Sequence, residues 1–164
     1  MGLIMKEILT TYTSYNTWAN IRIANLLQEN NSLLDIEVKS SFKSLRKTVH
    51  HIWDAELVWL ARLEQKPWTW PPTAQFKNPA ITDFLKTSIG FGEFVSGKDE
   101  DFISSTIDFK DSKGNSYTKK CWEMVMHCMN HSTYHRGQVI TICRELGIVT
   151  LPSTDLITFL RESK

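Results

Sequence analysis

Three observations predict an all-α chain built as a four-helix bundle. Long stretches carry apolar residues at helical spacing, the helix breakers collect between those stretches, and no segment makes a confident sheet. Only five prolines and seven glycines are spread over 164 residues. Their gaps leave room for a few long helices rather than many short elements.

The first stretch, Lys6 to Asn30, places Ile8, Tyr12, Tyr15, Ala19, Ile23 and Leu26 on one face. The second, Ser41 to Gln65, repeats Phe42, Leu45, Val49, Ile52, Glu56, Trp59 and Leu63, with Glu56 its one polar member. Pro67, Pro71 and Pro72 end it, because proline offers no N–H to the helical ladder. A third helix is expected from Thr82 to about Lys98, with Asp83 placed against the positive end of the helix dipole. Ile107 to Lys110 alternates, Asp111 to Ser116 reads as a turn, and Tyr117 to Lys119 can pair back as a short β-hairpin. The fourth helix runs from Lys119 to Leu146 and stops at Gly147, a natural left-handed cap. Ser153-Thr154-Asp155 opens a short final helix through Leu160. Nothing splits the chain, so residues 1–164 read as a single domain.

Composition narrows the function classes. Hydrophobic residues at 41% and charged residues at 23% match a globular domain and argue against disorder. A net charge of +1 provides no electrostatic footprint for nucleic acid or an anionic membrane. No apolar run is long enough to cross a bilayer, and the start, charged already at Lys6 and Glu7, does not resemble a secretory signal. Cys121, Cys128 and Cys143 are odd in number and lack a Cys-x-x-Cys pair, so a disulfide scaffold is not expected and a cytoplasmic location is. Core packing is the better reading of the six Trp, four Tyr and eight Phe, with an apolar pocket as the other.

The five histidines fall in two places: His50 and His51 on the second helix, and His127, His131 and His135 on the fourth. The latter three are spaced four apart and share one face. Each step rises about 6 Å, so His127 and His135 are separated by about 12 Å. Metal–imidazole bonds of about 2.0–2.1 Å make it hard for that outer pair to share an ion. Either adjacent pair can, with a third ligand from another helix. On the second helix, His50 is flanked by Lys43, Lys47 and Asp54, a solvated face. His51 is flanked by Ser44, Thr48 and Ala55, with Val58 beyond, a small and largely uncharged face that another helix can approach. His51 is therefore the preferred partner. Cys128 shares the inward face of His131 and is either a fourth ligand or, more in keeping with a cysteine on a helix, packing.

These residues resemble the DinB/YfiT-like family of damage-inducible, metal-binding four-helix proteins. Tyr15-Asn16-Thr17-Trp18-Ala19-Asn20 resembles the family's first-helix pattern, and His51-Ile52-Trp53-Asp54-Ala55-Glu56 with Trp59 and Arg62-Leu63 its second. Asn130-His131-Ser132-Thr133-Tyr134-His135-Arg136-Gly137-Gln138, followed by Arg144-Glu145-Leu146-Gly147, is the long and specific one. The resemblance implies that His51, His131 and His135 bind one divalent metal and that His127 lies outside that set; zinc and nickel both suit imidazole ligands. It also implies a homodimer and a long crossover between the second and third helices, for which Pro67 to Ala80 is the right place and length.

Three imidazoles leave open positions on an ion, the mark of a reactive site. Characterised members of the family include metal-dependent transferases that use low-molecular-weight thiols. The leading expectation is accordingly a metal-dependent thiol S-transferase joining such a thiol to a small-molecule electrophile. The alternatives are a metal-dependent hydrolase and a non-catalytic, stress-linked binding dimer. Tyr134 and Gln138 are candidates to support the ligands or contact substrate, with helix packing as the plainer reading. Arg136 is expected on the outer surface or in a salt bridge.

Overall fold

The computed structural model describes residues 2–77 and 79–163, with side chains from Ile4 onward. Met1, at the start of the chain, and Asn78, in the expected crossover, lie outside them. The elements are α1 (Gly2–Glu29), α2 (Leu45–Leu63), α3 (Ile81–Ser96), α4 (Glu100–Ser104), β1 (Thr106–Lys110), β2 (Ser116–Lys120), α5 (Cys121–Glu145) and α6 (Leu156–Glu162). Single 3-10 turns occupy Asn31–Leu33 and Pro72–Gln75. The long helices α1, α2, α3 and α5 form the expected four-helix bundle. Each of α1 and α2 packs against both α3 and α5, so α1 and α2 face each other across the diagonal. No helix among the described residues is long and apolar enough to cross a membrane.

Several boundaries differ from the sequence reading, each for a local reason. The second helix begins four residues later than expected, because the Ser44 hydroxyl accepts the Lys47 N–H and caps it. Lys43 just before it has a φ of 60°, which turns the chain sharply. Phe42 therefore belongs to the incoming loop and not to the helix. The fourth long helix starts at Cys121 rather than Lys119, because Lys119 and Lys120 pair with Ile107 and Thr106 in the hairpin. Asp111 shapes that hairpin's turn by accepting the N–H groups of Lys113 and Asn115. The short α4 was not foreseen; Asp99 caps it by accepting the Phe102 N–H at 2.8 Å. Gly147 has a φ of 84° and ends α5 as expected.

The interior is two apolar clusters separated by a polar layer. One cluster gathers Ile23, Leu27, Leu45, Ile52, Trp53, Phe84, Val139 and Ile142. The other gathers Leu9, Leu63, Phe91, Val95, Met124, Val125 and Met129. On each long helix the residues between them are polar and buried: Asn16 and Asn20, Glu56, Ser88, and Ser132 with Arg136. Glu56 accepts from Asn16, Asn20 and Ser88 at 2.7, 2.9 and 2.6 Å. Arg136 donates to the amide oxygens of the same two asparagines and to Thr133. Its near-complete burial corrects the expectation of an outer-surface arginine. Burial raises the Glu56 pKa, while its hydrogen bonds and the charge of Arg136 oppose that rise.

Candidate metal centre

The polar layer determines the setting of the histidines. Ser132 and Arg136 each follow a histidine on α5, so their inward anchoring turns His131 and His135 toward α2. There they meet His51. The three side chains offer nitrogen atoms that all lie within 4.8 Å of one another. His51 Nε2 and His131 Nε2 are 3.0 Å apart, and the ring centroids of His51 and His135 are separated by 4.5 Å. Two nitrogens bonded to one ion at about 2.1 Å can be at most about 4.2 Å apart. In a tetrahedral site the same bonds place them about 3.4 Å apart, so the widest pair must draw together when an ion binds.

The donor set suits a divalent cation. Burial and the neighbouring His135 push the His51 pKa down to about 4. Burial, with His135, His51 and His127 around it, pushes His131 to about 3. Both rings are therefore neutral near pH 7 and carry free lone pairs, the form a metal needs. His131 Nδ1 is buried without a hydrogen-bond partner. His135 Nδ1 pairs with Gln138 Oε1 at 2.7 Å, so the amide oxygen accepts its proton and leaves Nε2 as the ligand atom.

Aromatic rings enclose the cluster. Phe42 stacks on His51 with centroids 4.2 Å apart and meets His135 edge-on at 5.4 Å. Trp70, from the crossover, lies edge-on to His51 at 5.8 Å. Tyr134 touches the His135 ring at 4.9 Å, but 66% of it is exposed, so its contact is at the rim. Two openings flank the trio. A cleft of about 520 Å³ reaches His51 past Phe42, Lys47 and Thr73. A smaller cavity of about 200 Å³ reaches His131 past Trp59, Trp68 and Arg62.

The remaining sequence candidates lie outside the trio, with His50 lining the cleft beside His51 and His127 the cavity beside His131. His50 stacks edge-on against Trp53. Of the solvated face expected there, Lys43 and Lys47 are exposed, but Asp54 is buried and accepts the Thr73 N–H at 2.8 Å. His127 packs on Trp59 at 4.8 Å. Cys128 is fully buried within the second apolar cluster, and all three cysteines are free. Phe42, Arg62, Trp68 and Trp70 were missed as site residues. Trp68 and Trp70 had a signal, since two tryptophans in a proline-rich break have no helix face to bury.

The DinB family model matches residues 5–163 of the chain. Protein DinB of Bacillus subtilis (strain 168) is 24% identical over 163 residues, covering 91% of this chain and 92% of its own length. A crystal structure of a DinB-like protein from Bacillus cereus ATCC 10987 superposes with a TM-score of 0.64 at 20% identity. That match covers 85% of this chain and 91% of the other, and it speaks for the fold.

Proposed function

This chain belongs to the DinB family, and from that premise we propose that it is a metal-dependent thiol S-transferase acting on electrophilic small molecules. The observation that carries the reading is the convergence of His51, His131 and His135 at the junction of two openings. A bound zinc or nickel ion would supply Lewis acidity and make a thiolate available near neutral pH. Three protein ligands leave positions for reactants, and two openings suit a reaction between two molecules.

The chain's own residues do the positioning. Gln138 orients the His135 ring and holds its Nδ1 proton. Phe42 stacks on His51 and Trp70 meets it edge-on, which fixes the ring beside the cleft. The Glu56–Arg136 layer holds α2 and α5 in the register that brings the rings together. The proposal includes a homodimer and a cytoplasmic, stress-linked setting. Three free, buried cysteines accord with a reducing compartment. Exposed Ile8, Leu156 and Leu160 offer apolar surface for a second copy, which light scattering would detect.

The test is conjugation of a panel of small thiols to a reporter electrophile, with metal-loaded and chelator-treated protein. The expected result is a metal-dependent rate above the free-metal background that collapses in His51→Ala. Turnover of an ester or amide without thiol would replace this reading with hydrolysis. Metal occupancy without turnover would replace it with a binding role.

A further inference from the structure

Arg62 stands on the same stripe of α2 as His51, through Ala55 and Val58. Side chains on a helix lean toward its N-terminus, so Arg62 leans toward the histidines. Its guanidinium carbon lies 4.5 Å from the ring centroids of both Trp59 and Trp68, and 4.7 Å from that of Phe109. Rings on the faces of a guanidinium leave its N–H groups pointing outward in their own plane. Nη2 donates to the Lys110 carbonyl at 3.2 Å; Nε is sealed from solvent, so a ligand in the cavity reaches only the terminal Nη groups, which have no second acceptor among the described residues. A guanidinium N–H group with no protein acceptor is free to donate to a ligand. Asp111, on the same cavity wall, makes no ion pair with Arg62 among the described residues. Its oxygens already accept from Lys113, Asn115 and Tyr117.

The cavity of about 200 Å³ thus has indole walls from Trp59, Trp68 and Trp70, a fixed cation, and His131 on its border. Four segments build it: α2, the crossover, the hairpin turn and α5. Apolar walls suit a carbon chain, and an unmatched guanidinium donor suits an oxyanion. One cation with Asp111 nearby suits a single negative charge better than a phosphate dianion. We propose that this cavity binds the substrate thiol and that the thiol is acidic, its carboxylate held by Arg62 and its sulfur directed to the histidine centre. The thiol half of this statement rests on the transferase reading; the carboxylate half stands on Arg62 and the cavity alone.

The experiment compares mercaptohexanoate with mercaptohexanol, which differ only in the charged end, and uses hexanoate as competitor. Binding to zinc-loaded and chelator-treated protein is read from tryptophan emission. Mercaptohexanoate is expected to bind the zinc form at least about tenfold more tightly than mercaptohexanol. Arg62→Gln should erase that difference, and Arg62→Lys should retain part of it. Hexanoate should bind the metal-free wild type. Equal affinity for the two thiols, a difference that survives Arg62→Gln, or hexanoate that fails to bind the wild type would each overturn the carboxylate site. The wild-type arms decide the matter even if Arg62→Gln fails to fold. Failure of the transferase reading looks different: hexanoate binds through Arg62, yet no thiol is conjugated.

Discussion

Gln138 Oε1 accepts the His135 Nδ1 proton at 2.7 Å, one helical turn along α5. This contact fixes both the ring's orientation and the nitrogen it presents to His51 and His131. Supporting contacts of this kind commonly contribute about 10- to 100-fold to metal affinity. Gln138→Ala is therefore expected to weaken zinc binding by that order, measured by competition with a chromophoric chelator. An unchanged affinity would mean that Phe42 and Tyr134 orient the ring without the amide.

Glu56 and Arg136 make no direct ion pair among the described residues; Asn16 and Asn20 bridge them. Glu56→Ala leaves the Arg136 charge uncompensated and strips acceptors from Asn16, Asn20 and Ser88. The expected loss is about 3–5 kcal/mol in urea denaturation. Glu56→Gln keeps one acceptor and should lose less. A loss below about 1 kcal/mol in the alanine variant would contradict a stabilising layer.

The stability of metal-free protein should depend on pH through the histidines. The folded state holds His51 at about 4 and His131 at about 3, against an ordinary 6.5. As pH falls below about 6.5, the unfolded chain takes up these protons first and is favoured. Stability is thus full above about pH 6.5 and declines from there toward about pH 3. Melting temperatures of chelator-treated protein should fall more steeply across that window than those of a His51→Gln/His131→Gln variant. Parallel slopes would argue against neutral, depressed imidazoles.

Cys128 is expected to contribute packing and no ligand. Burial, with Glu56 nearby, raises its thiol pKa well above the ordinary value, and its side chain lies in the second apolar cluster rather than with the three histidines. Cys128→Ala should keep the metal stoichiometry, and cobalt-loaded protein should show no thiolate-to-metal charge-transfer band. The cost should be on the order of 1 kcal/mol in stability. Loss of metal in this variant would make Cys128 a ligand.

The bundle was legible because period and breakers dominate its long helices, and the hairpin because alternation flanks a turn. The choice of His51 over His50 was legible in the small residues on its face, Ser44, Thr48 and Ala55; the choice of His131 and His135 over His127 and His131 came from the family resemblance. The burial of Arg136 was not. Charge alone argues for the surface, and its acceptors, Asn16 and Asn20, lie more than a hundred residues away in sequence. Glu56 had a visible signal, a carboxylate inside an apolar stripe, but its partners come from three other helices. Phe42 fitted the period of α2 by coincidence; the Ser44 cap and the Lys43 turn removed it from the helix. The aromatic cavity depends on two loops meeting two helices, which no local pattern encodes.

The central claim is that His51, His131 and His135 together hold one metal ion. Its most direct test is metal stoichiometry, by elemental analysis of untagged protein after equilibration with zinc, for five single histidine-to-alanine variants. The account predicts one ion per chain in the wild type, His50→Ala and His127→Ala, and strong loss in His51→Ala, His131→Ala and His135→Ala. A His50→Ala variant that empties the site while His51→Ala stays loaded would contradict it.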